Sequence, residues 1–486
     1  MATRISALKI LARNLYLDCS SLAGNPALNT GIQRVVRRVL ENLPDLASEN
    51  QLTMLPVFIG DSKFEILPVA ALYPKPVSGD ASDEAPVKRS LRVSFVAYLW
   101  GVYIAGRELI SALGGHNPVL RRFLFAPRSQ MGLGYIVESL LFKPQRWIRR
   151  LLHPAPPPAL FDMVHADDVL LLLDASWHSN IWPSVDLFKK RGGRVIAVIY
   201  DLIPITHPQF CDDYLVTVFK KWFFDSFPFV DGYISISRTV QRDLQAYATR
   251  EIGEKAREKL FDSFYLGADF LAQDPECPQT NERQIRREIA DAFAHRPAYL
   301  IVSTIEPRKN HAYLLDAFDL LWARGCDVSL IIVGRIGWKV KELTERIMAH
   351  GQFGKRLFLM ADLSDEELVY CYRHAKMLLF PSIIEGFGLP IVESLSHHLP
   401  VLASDTPVHR EVGGNSIGYF DLSRPGDLAN RVQSIEAAGI PETLQVPAGY
   451  KWTNWRESTQ ELLTKVMEMA GGSGPAQQGL DTPGHG

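Results

Sequence analysis

Cysteine is scarce in this chain: five residues in 486 (Cys19, Cys211, Cys277, Cys326 and Cys371), with no C-x-x-C pair among them. A set so odd and scattered argues against a disulfide scaffold or a structural zinc site, and fits reduced thiols in a cytoplasm. Net charge is nearly absent too, with 52 Lys and Arg against 54 Asp and Glu, so the whole chain has no electrostatic footprint for nucleic acid. The N-terminal MATRISALKILARNLYLD has neither the unbroken apolar core nor the small-residue cleavage site of a signal peptide. There is no D-x-D triplet and no internal repeat of solenoid length. What is left, 47% hydrophobic and 22% charged, is an ordinary globular composition long enough for two or three domains.

Two halves of the chain share one texture, short β-rich apolar runs alternating with longer helical patterns. In the first half the expected strands are Asn14–Asp18, Leu52–Phe58, Val169–Asp174, Val195–Tyr200, Gly232–Ser235 and Phe261–Leu266. In the second they are Tyr299–Thr304, Val328–Gly334, Leu357–Met360, Met377–Phe380 and Pro400–Ser404. Runs such as VLLLLD and VSLIIVG are apolar at successive positions, as strands covered on both faces of a parallel sheet must be. Strand-then-helix repetition predicts an α/β class with two doubly wound, Rossmann-like sheets. A charged, Pro-containing seam between Asp269 and Arg296 separates the series. The expected division is an N-terminal domain over 1–275, a C-terminal domain over 290–450, a helix over 451–469 and a Gly/Pro-rich tail over 470–486.

One region breaks the texture. Between Pro86 and His153, eleven Lys and Arg face only Glu108 and Glu138, and Phe95, Tyr98, Trp100, Tyr103, Phe123, Phe125 and Trp147 are interleaved with them. Its longest uncharged run, Val93–Gly106, has 14 residues, short of the roughly 20 that a spanning helix needs. Basic flanks around aromatic segments suit helices lying on an anionic membrane surface. The plainer alternative is a helical insertion packed on the sheet with its charges solvated.

The stretch richest in chemistry is FPSIIEGFGLPIVESLSHHLP, residues 380–400. A buried strand is expected to end at Phe380, a loop to run through Pro381–Leu389, and Pro390 to open a helix. Gly386 and Gly388 would let a ligand approach the backbone, and free N–H groups at the helix start suit a phosphate. Glu385 and Glu393 lie eight residues apart, and carboxylates so placed can accept hydrogen bonds from sugar hydroxyls.

These residues resemble the retaining GT-B glycosyltransferases of glycosyltransferase family 4, which carry E-x7-E at this place. Other segments follow the family order. They are VSTIEPRKNH (302–311), IIVGRIGW (331–338), DLSDEEL (362–368), SDTPVHREVGG (404–414) and YKWTNWRESTQELL in the second half, and NTGIQRVVRRVL (29–40), YDLIPITHP (200–208), SISRTVQRDL (235–244) and LGAD (266–269) in the first. The resemblance implies two Rossmann-like domains facing across a cleft, with a terminal helix crossing back to the first. It also implies roles. Glu385 would contact the donor sugar, Glu393 the ribose, and Lys309 with Arg308 the diphosphate. The backbone of Gly386, Phe387, Gly388 and Leu389, together with Gly31 and Thr304, would line the donor, and Asp201 would orient acceptor or sugar. Two departures stand out. Relatives often have Gly–Arg where this chain has Ser303–Thr304, leaving Arg308 or Arg335 to supply the second cation, and often have His where Tyr200 stands. His207, His311, His397 and His398 are assigned solvated or capping roles.

The implied activity is metal-independent transfer of a sugar, with retention, from a nucleotide-sugar to a lipid-linked glycan or polysaccharide acceptor. The TIEPRKN and TGIQRV patterns look most like mannosyl- or rhamnosyltransferases of surface-polysaccharide assembly, with GDP-mannose as the expected donor. No cofactor beyond that co-substrate, no metal and no nucleic acid are expected, and the location implied is the cytoplasmic face of the inner membrane. Competing readings are a nucleotide-sugar epimerase on the same fold and a non-catalytic, membrane-docked scaffold.

Overall fold

The computed structural model describes residues 14–26, 31–60, 63–72, 163–268 and 285–471. The basic segment 86–153, Cys277, residues 269–284 of the seam and the tail beyond 471 lie outside the described residues.

The first sheet holds β1 (Asn14–Asp18), β2 (Thr53–Gly60), β3 (Lys63–Ile66), β4 (Val169–Leu172), β5 (Arg194–Ile199), β6 (Gly232–Ser235) and β7 (Leu260–Ser263) in the order β3-β2-β1-β4-β5-β6-β7. All pairs are parallel except β2–β3, an antiparallel hairpin at the edge with Gly60 opposite Lys63. The second sheet is all parallel. It is built from β8 (Ala298–Val302), β9 (Ser329–Val333), β10 (Leu357–Met360), β11 (Met377–Phe380), β12 (Val401–Ser404) and β13 (Gly418–Phe420) in the order β10-β9-β8-β11-β12-β13. Each sheet therefore reverses direction once, between β1 and β4 and between β8 and β11, and such switch points are where open α/β sheets bind ligands. Two Rossmann-like sheets of this kind make the GT-B architecture. Sequence periodicity missed β3, a four-residue edge strand that alternates polar and apolar, and β13, too short to show a pattern.

Among the described residues, the helices of seven or more residues are α1 (Gly31–Glu49), α2 (Trp182–Lys190), α3 (Asp213–Ser226), α4 (Arg238–Ile252), α5 (Arg287–Ala294), α6 (His311–Ala323), α7 (Lys341–Met348), α8 (Asp365–His374), α9 (Leu389–Ser396), α10 (Pro407–Gly413), α11 (Pro425–Ala438) and α12 (Trp455–Ala470). Their starts are chemically marked. Ser364 and Glu367 form a reciprocal capping box at α8, and Asn454 and Glu457 form another at α12. In α1 the buried positions Val35, Val36, Val39, Leu40, Leu43, Leu46 and Ala47 make one helical stripe. Although the expected seam runs to Arg296, α5 already belongs to the second domain. Ile289 and Ala292 on its inner face are buried in the core.

The chain's last described helix returns to the first domain. Leu462, Leu463, Val466 and Met469 of α12 share a buried cluster with α1 and with Ile196, Val198 and Ile234 of the first sheet. Gly232 is bare because a Cβ there would lie 2.6 Å from the Met469 sulfur. Arg456 of α12 pairs with Glu49 at the end of α1 at 2.6 Å.

Candidate active site

Both loops that follow the switch-point strands of the second sheet carry charge. After β8, a 3-10 turn at Pro307–Lys309 ends on Asn310, whose φ of 58° turns the chain into α6. After β11, residues 381–388 lead into α9, with Gly388 at φ 105° as the residue before its first turn. Pro390 is the second helical residue rather than the first, and Glu393, the fifth, falls in the second turn. The amide of Ile383 donates to the Arg308 carbonyl at 2.8 Å, joining the two loops.

This joint brings Glu385 against both cations. Arg308 Nη1 lies 2.5 Å from Glu385 Oε2, and Lys309 Nζ bonds Glu385 Oε1. Arg308 also reaches Glu306 at 2.8 Å, and Lys309 sits over the Phe380 ring. Burial alone would raise the Glu385 pKa, but Arg308 and Lys309 outweigh it and bring the carboxyl to about 2. Asp201, from the first domain, lies within the field of the same two cations. Burial raises its pKa, and its Oδ1 accepts from the Ile203 amide at 2.9 Å. Of the candidates for a second cation, Arg308 contacts Glu385, whereas Arg335 pairs at the surface with Asp362 at 3.0 Å.

Glu393 is 2% exposed. Its Oε1 accepts from Arg34 Nη2 at 2.6 Å and its Oε2 from the Tyr372 hydroxyl at 2.8 Å. Gly31 opens α1 at the surface, and a Cβ there would meet nothing within 4 Å. Thr304 is exposed. The Phe387 side chain, 3% exposed, turns into the core toward Tyr265 and Trp452. Gly386 differs from the sequence expectation. A Cβ at this residue would overlap the carbonyl oxygen of Tyr200, so its bare Cα serves the approach of the first domain as well as any ligand.

Several more bonds join the domains here. Ser237 Oγ donates to the Gly386 carbonyl at 2.8 Å. Glu411 accepts from the backbone amides of Arg238 and Thr239 at 2.7 and 2.8 Å. Trp338 Nε1 donates to the Phe210 carbonyl at 2.7 Å. Sequence reasoning passed over Arg34, Tyr372, Ser237, Glu306 and Glu411. Four of the five lie inside quoted motifs, but only the spatial meeting of distant segments shows their use. Tyr372 carries no sequence signal at all.

Chemically, the site offers two cations fixed by carboxylates, bare backbone at a helix start, and acidic groups able to accept from hydroxyls. Groups of these kinds can receive a phosphate-bearing, hydroxyl-rich ligand.

Residues 282–445 match the family described as glycosyl transferases group 1. Over 316 residues the chain is 32% identical to the serotype-specific mannosyltransferase WbdA of Escherichia coli, covering 64% of this chain and 38% of that protein. It is 35% identical over 279 residues to the O-antigen chain mannosyltransferase B of Escherichia coli, covering 56% of this chain and 69% of that one. The chain thus spans less than half the length of WbdA and over two thirds of the second relative. Among solved structures, Anabaena HepE in complex with UDP aligns over 94% of this chain and 97% of its own at 14% identity, with a TM-score of 0.47. The match to the second relative, together with the family match across the whole second sheet, shows that this chain belongs to the glycosyl transferases group 1 family.

Proposed function

We propose that the protein is a retaining glycosyltransferase that moves mannose from GDP-mannose to a lipid-linked or polysaccharide acceptor of the O-antigen kind, without a metal ion. The observation that carries this reading is the meeting of Glu385, Arg308 and Lys309 at the switch point of the second sheet, in the loop that leads into the helix of Glu393. The mannosyltransferase names of the two Escherichia coli relatives support the choice of sugar and acceptor class.

In the reaction the bond from the anomeric carbon to the β-phosphate oxygen breaks, and a bond from that carbon to an acceptor oxygen forms on the same face. The departing nucleoside diphosphate takes the acceptor's proton. Lys309 and Arg308 would stabilise the charge that develops on the phosphate in a site from which closure of the two domains excludes water. Glu385 would hold the cations until donor binds and then accept from the sugar hydroxyls. Asp201, entering from the first domain, would orient the acceptor or the sugar.

Among the described residues no helix is long and apolar enough to cross a membrane. We place the enzyme at the cytoplasmic membrane face through the basic segment 86–153, with anionic lipid as the partner surface. Purified protein with GDP-mannose and a mannose-terminated acceptor, in EDTA, should give an α-linked product. Transfer from another nucleotide-sugar would overturn the donor, an inverted product the stereochemistry, and sugar isomerisation without transfer would favour the epimerase.

A further inference from the structure

Neither oxygen of Glu393 is idle. Tyr372, which bonds Oε2, belongs to the same domain, but Arg34, which bonds Oε1 at 2.6 Å, comes from α1 of the first domain, 359 residues earlier in the chain. The carboxylate is 2% exposed and the Arg34 side chain 31%, so the pair lies at a seam and not in open solvent. Each carboxylate oxygen can accept two hydrogen bonds, so one bond from Arg34 and one from Tyr372 do not by themselves exhaust either oxygen. A vicinal diol donates two O–H groups at a spacing that the two oxygens of one carboxylate can meet. A neutral hydroxyl does not displace a guanidinium from a buried carboxylate, because the exchange would strand a charge. The ion pair therefore stays when a diol arrives, and its effect is to fix the plane of the carboxylate beforehand, which lowers the ordering cost of binding.

Arg34 is itself held firmly. It lies in the first turn of a 19-residue helix whose apolar stripe packs on α12 and whose far end is tied by Glu49 to Arg456. A shift of the first domain relative to the second would carry Arg34 away from Glu393 as a rigid unit.

We infer that Arg34 is a positioning residue of the nucleotide site: reaching across from the first domain, it sets Glu393 in the orientation that receives a ribose diol, so that nucleotide affinity depends on the two domains being closed on each other. This rests on the reading that Glu393 faces the nucleotide.

The test uses the full chain and whichever of the ribonucleotides GDP, UDP and ADP binds the wild type most tightly by calorimetry. Arg34→Met should weaken that nucleotide by about tenfold, and Arg34→Lys, which keeps the charge, should recover most of the loss. In transfer assays Arg34→Met should raise KM for the donor more than it lowers kcat. In a Glu393→Gln background Arg34→Met should cost little more, because the carboxylate it orients is gone. Unchanged affinity in Arg34→Met overturns the inference, as does an equal loss in both backgrounds. If no nucleotide binds the wild type, or Glu393→Gln alone leaves binding intact, it is the functional reading that fails. Where Arg34→Met lowers the thermal midpoint too far to assay, Arg34→Gln takes its place with the same outcomes, since it too removes the charge that orients Glu393.

Discussion

The carbonyl oxygen of Tyr200 faces the Cα of Gly386 so closely that a methyl group on that carbon would overlap it. Tyr200 follows the last residue of β5 in the first domain, and Gly386 follows Glu385 in the second. Its carbonyl also takes the Ser237 hydroxyl at 2.8 Å. Gly386→Ala should therefore push the domains apart at the point where the charged loops meet. Overpacking of this kind costs about 1–3 kcal/mol. Misplacing reacting groups by an ångström can cost about a hundredfold in rate. We expect a lower thermal midpoint, a larger radius of gyration by solution scattering and a kcat/KM down by about two orders of magnitude. Wild-type kinetics in this variant would show that the Tyr200 contact is incidental to turnover.

Lys309 and Arg308 divide the two oxygens of Glu385 between them. Lys309→Met keeps most of the side-chain volume and removes one of the two charges proposed to meet the leaving phosphate. Loss of one preformed electrostatic contact of this kind costs about 10²–10³ in kcat. The variant should fold, since Glu385 retains Arg308. A kcat within threefold of wild type would remove Lys309 from the chemistry.

The same cluster sets an acid limit on stability. Glu385 titrates at about 2 when folded, below its ordinary 4.5. Its contribution to stability is therefore fully present above about 4.5 and is lost as pH falls from there toward 2. Glu385→Gln should flatten that limb, which equilibrium denaturation at pH 3, 4 and 6 would show as a smaller loss than in wild type.

How much of this was written in the sequence depends on distance along the chain. Successive apolar runs marked the strands of both sheets, and Asn14–Asp18, Gly232–Ser235, Leu357–Met360 and Met377–Phe380 fall where periodicity puts them. The glycine–carboxylate loop after β11 was equally plain, because strand, loop and helix lie within twenty residues. Pairings between segments hundreds of residues apart were not. Arg34 reads in sequence as one more solvated base on an amphipathic helix, and Glu411 as an ordinary helix acid. Their use depends on how two domains close, which no local pattern encodes. Gly386 shows the other limit. A loop glycine suggests ligand access, and here a neighbouring carbonyl claims that space.

Asp18 works against stability where Glu385 works for it. It ends β1 fully buried, accepting from the Ser20 amide at 3.0 Å, and burial with the nearby Asp174 carboxylate raises its pKa to about 7. A folded pKa above the ordinary 3.8 means that the native state holds the proton more tightly. Its contribution to stability is therefore greatest below about 3.8 and is lost as pH rises from there to 7. Asp18→Asn keeps a side-chain oxygen for Ser20 and removes the charge. It should unfold at a higher temperature than wild type at pH 8 and show little advantage at pH 4. An equal shift at both values would mean that the carboxyl is not titrating in this range.

The first turn of α4 is capped from the other domain. Its backbone amides at Arg238 and Thr239, and the Thr239 hydroxyl, all donate to Glu411, a residue of the other domain. A carboxylate suits this place because both oxygens accept and its charge opposes the positive end of the helix dipole. Glu411→Gln keeps one acceptor but turns an NH2 group toward the second amide, so the near-isosteric change should cost about as much as losing an N-cap, roughly 1 kcal/mol. The loss should also be local. Hydrogen exchange at the amides of Arg238 and Thr239 should quicken in Glu411→Gln, while those of β5 and β6 keep their wild-type rates. If the whole first sheet exchanges faster, Glu411 is holding the domain itself and not only the end of one helix. If nothing changes, the two domains meet elsewhere in solution, and the Tyr200–Gly386 approach fails with it.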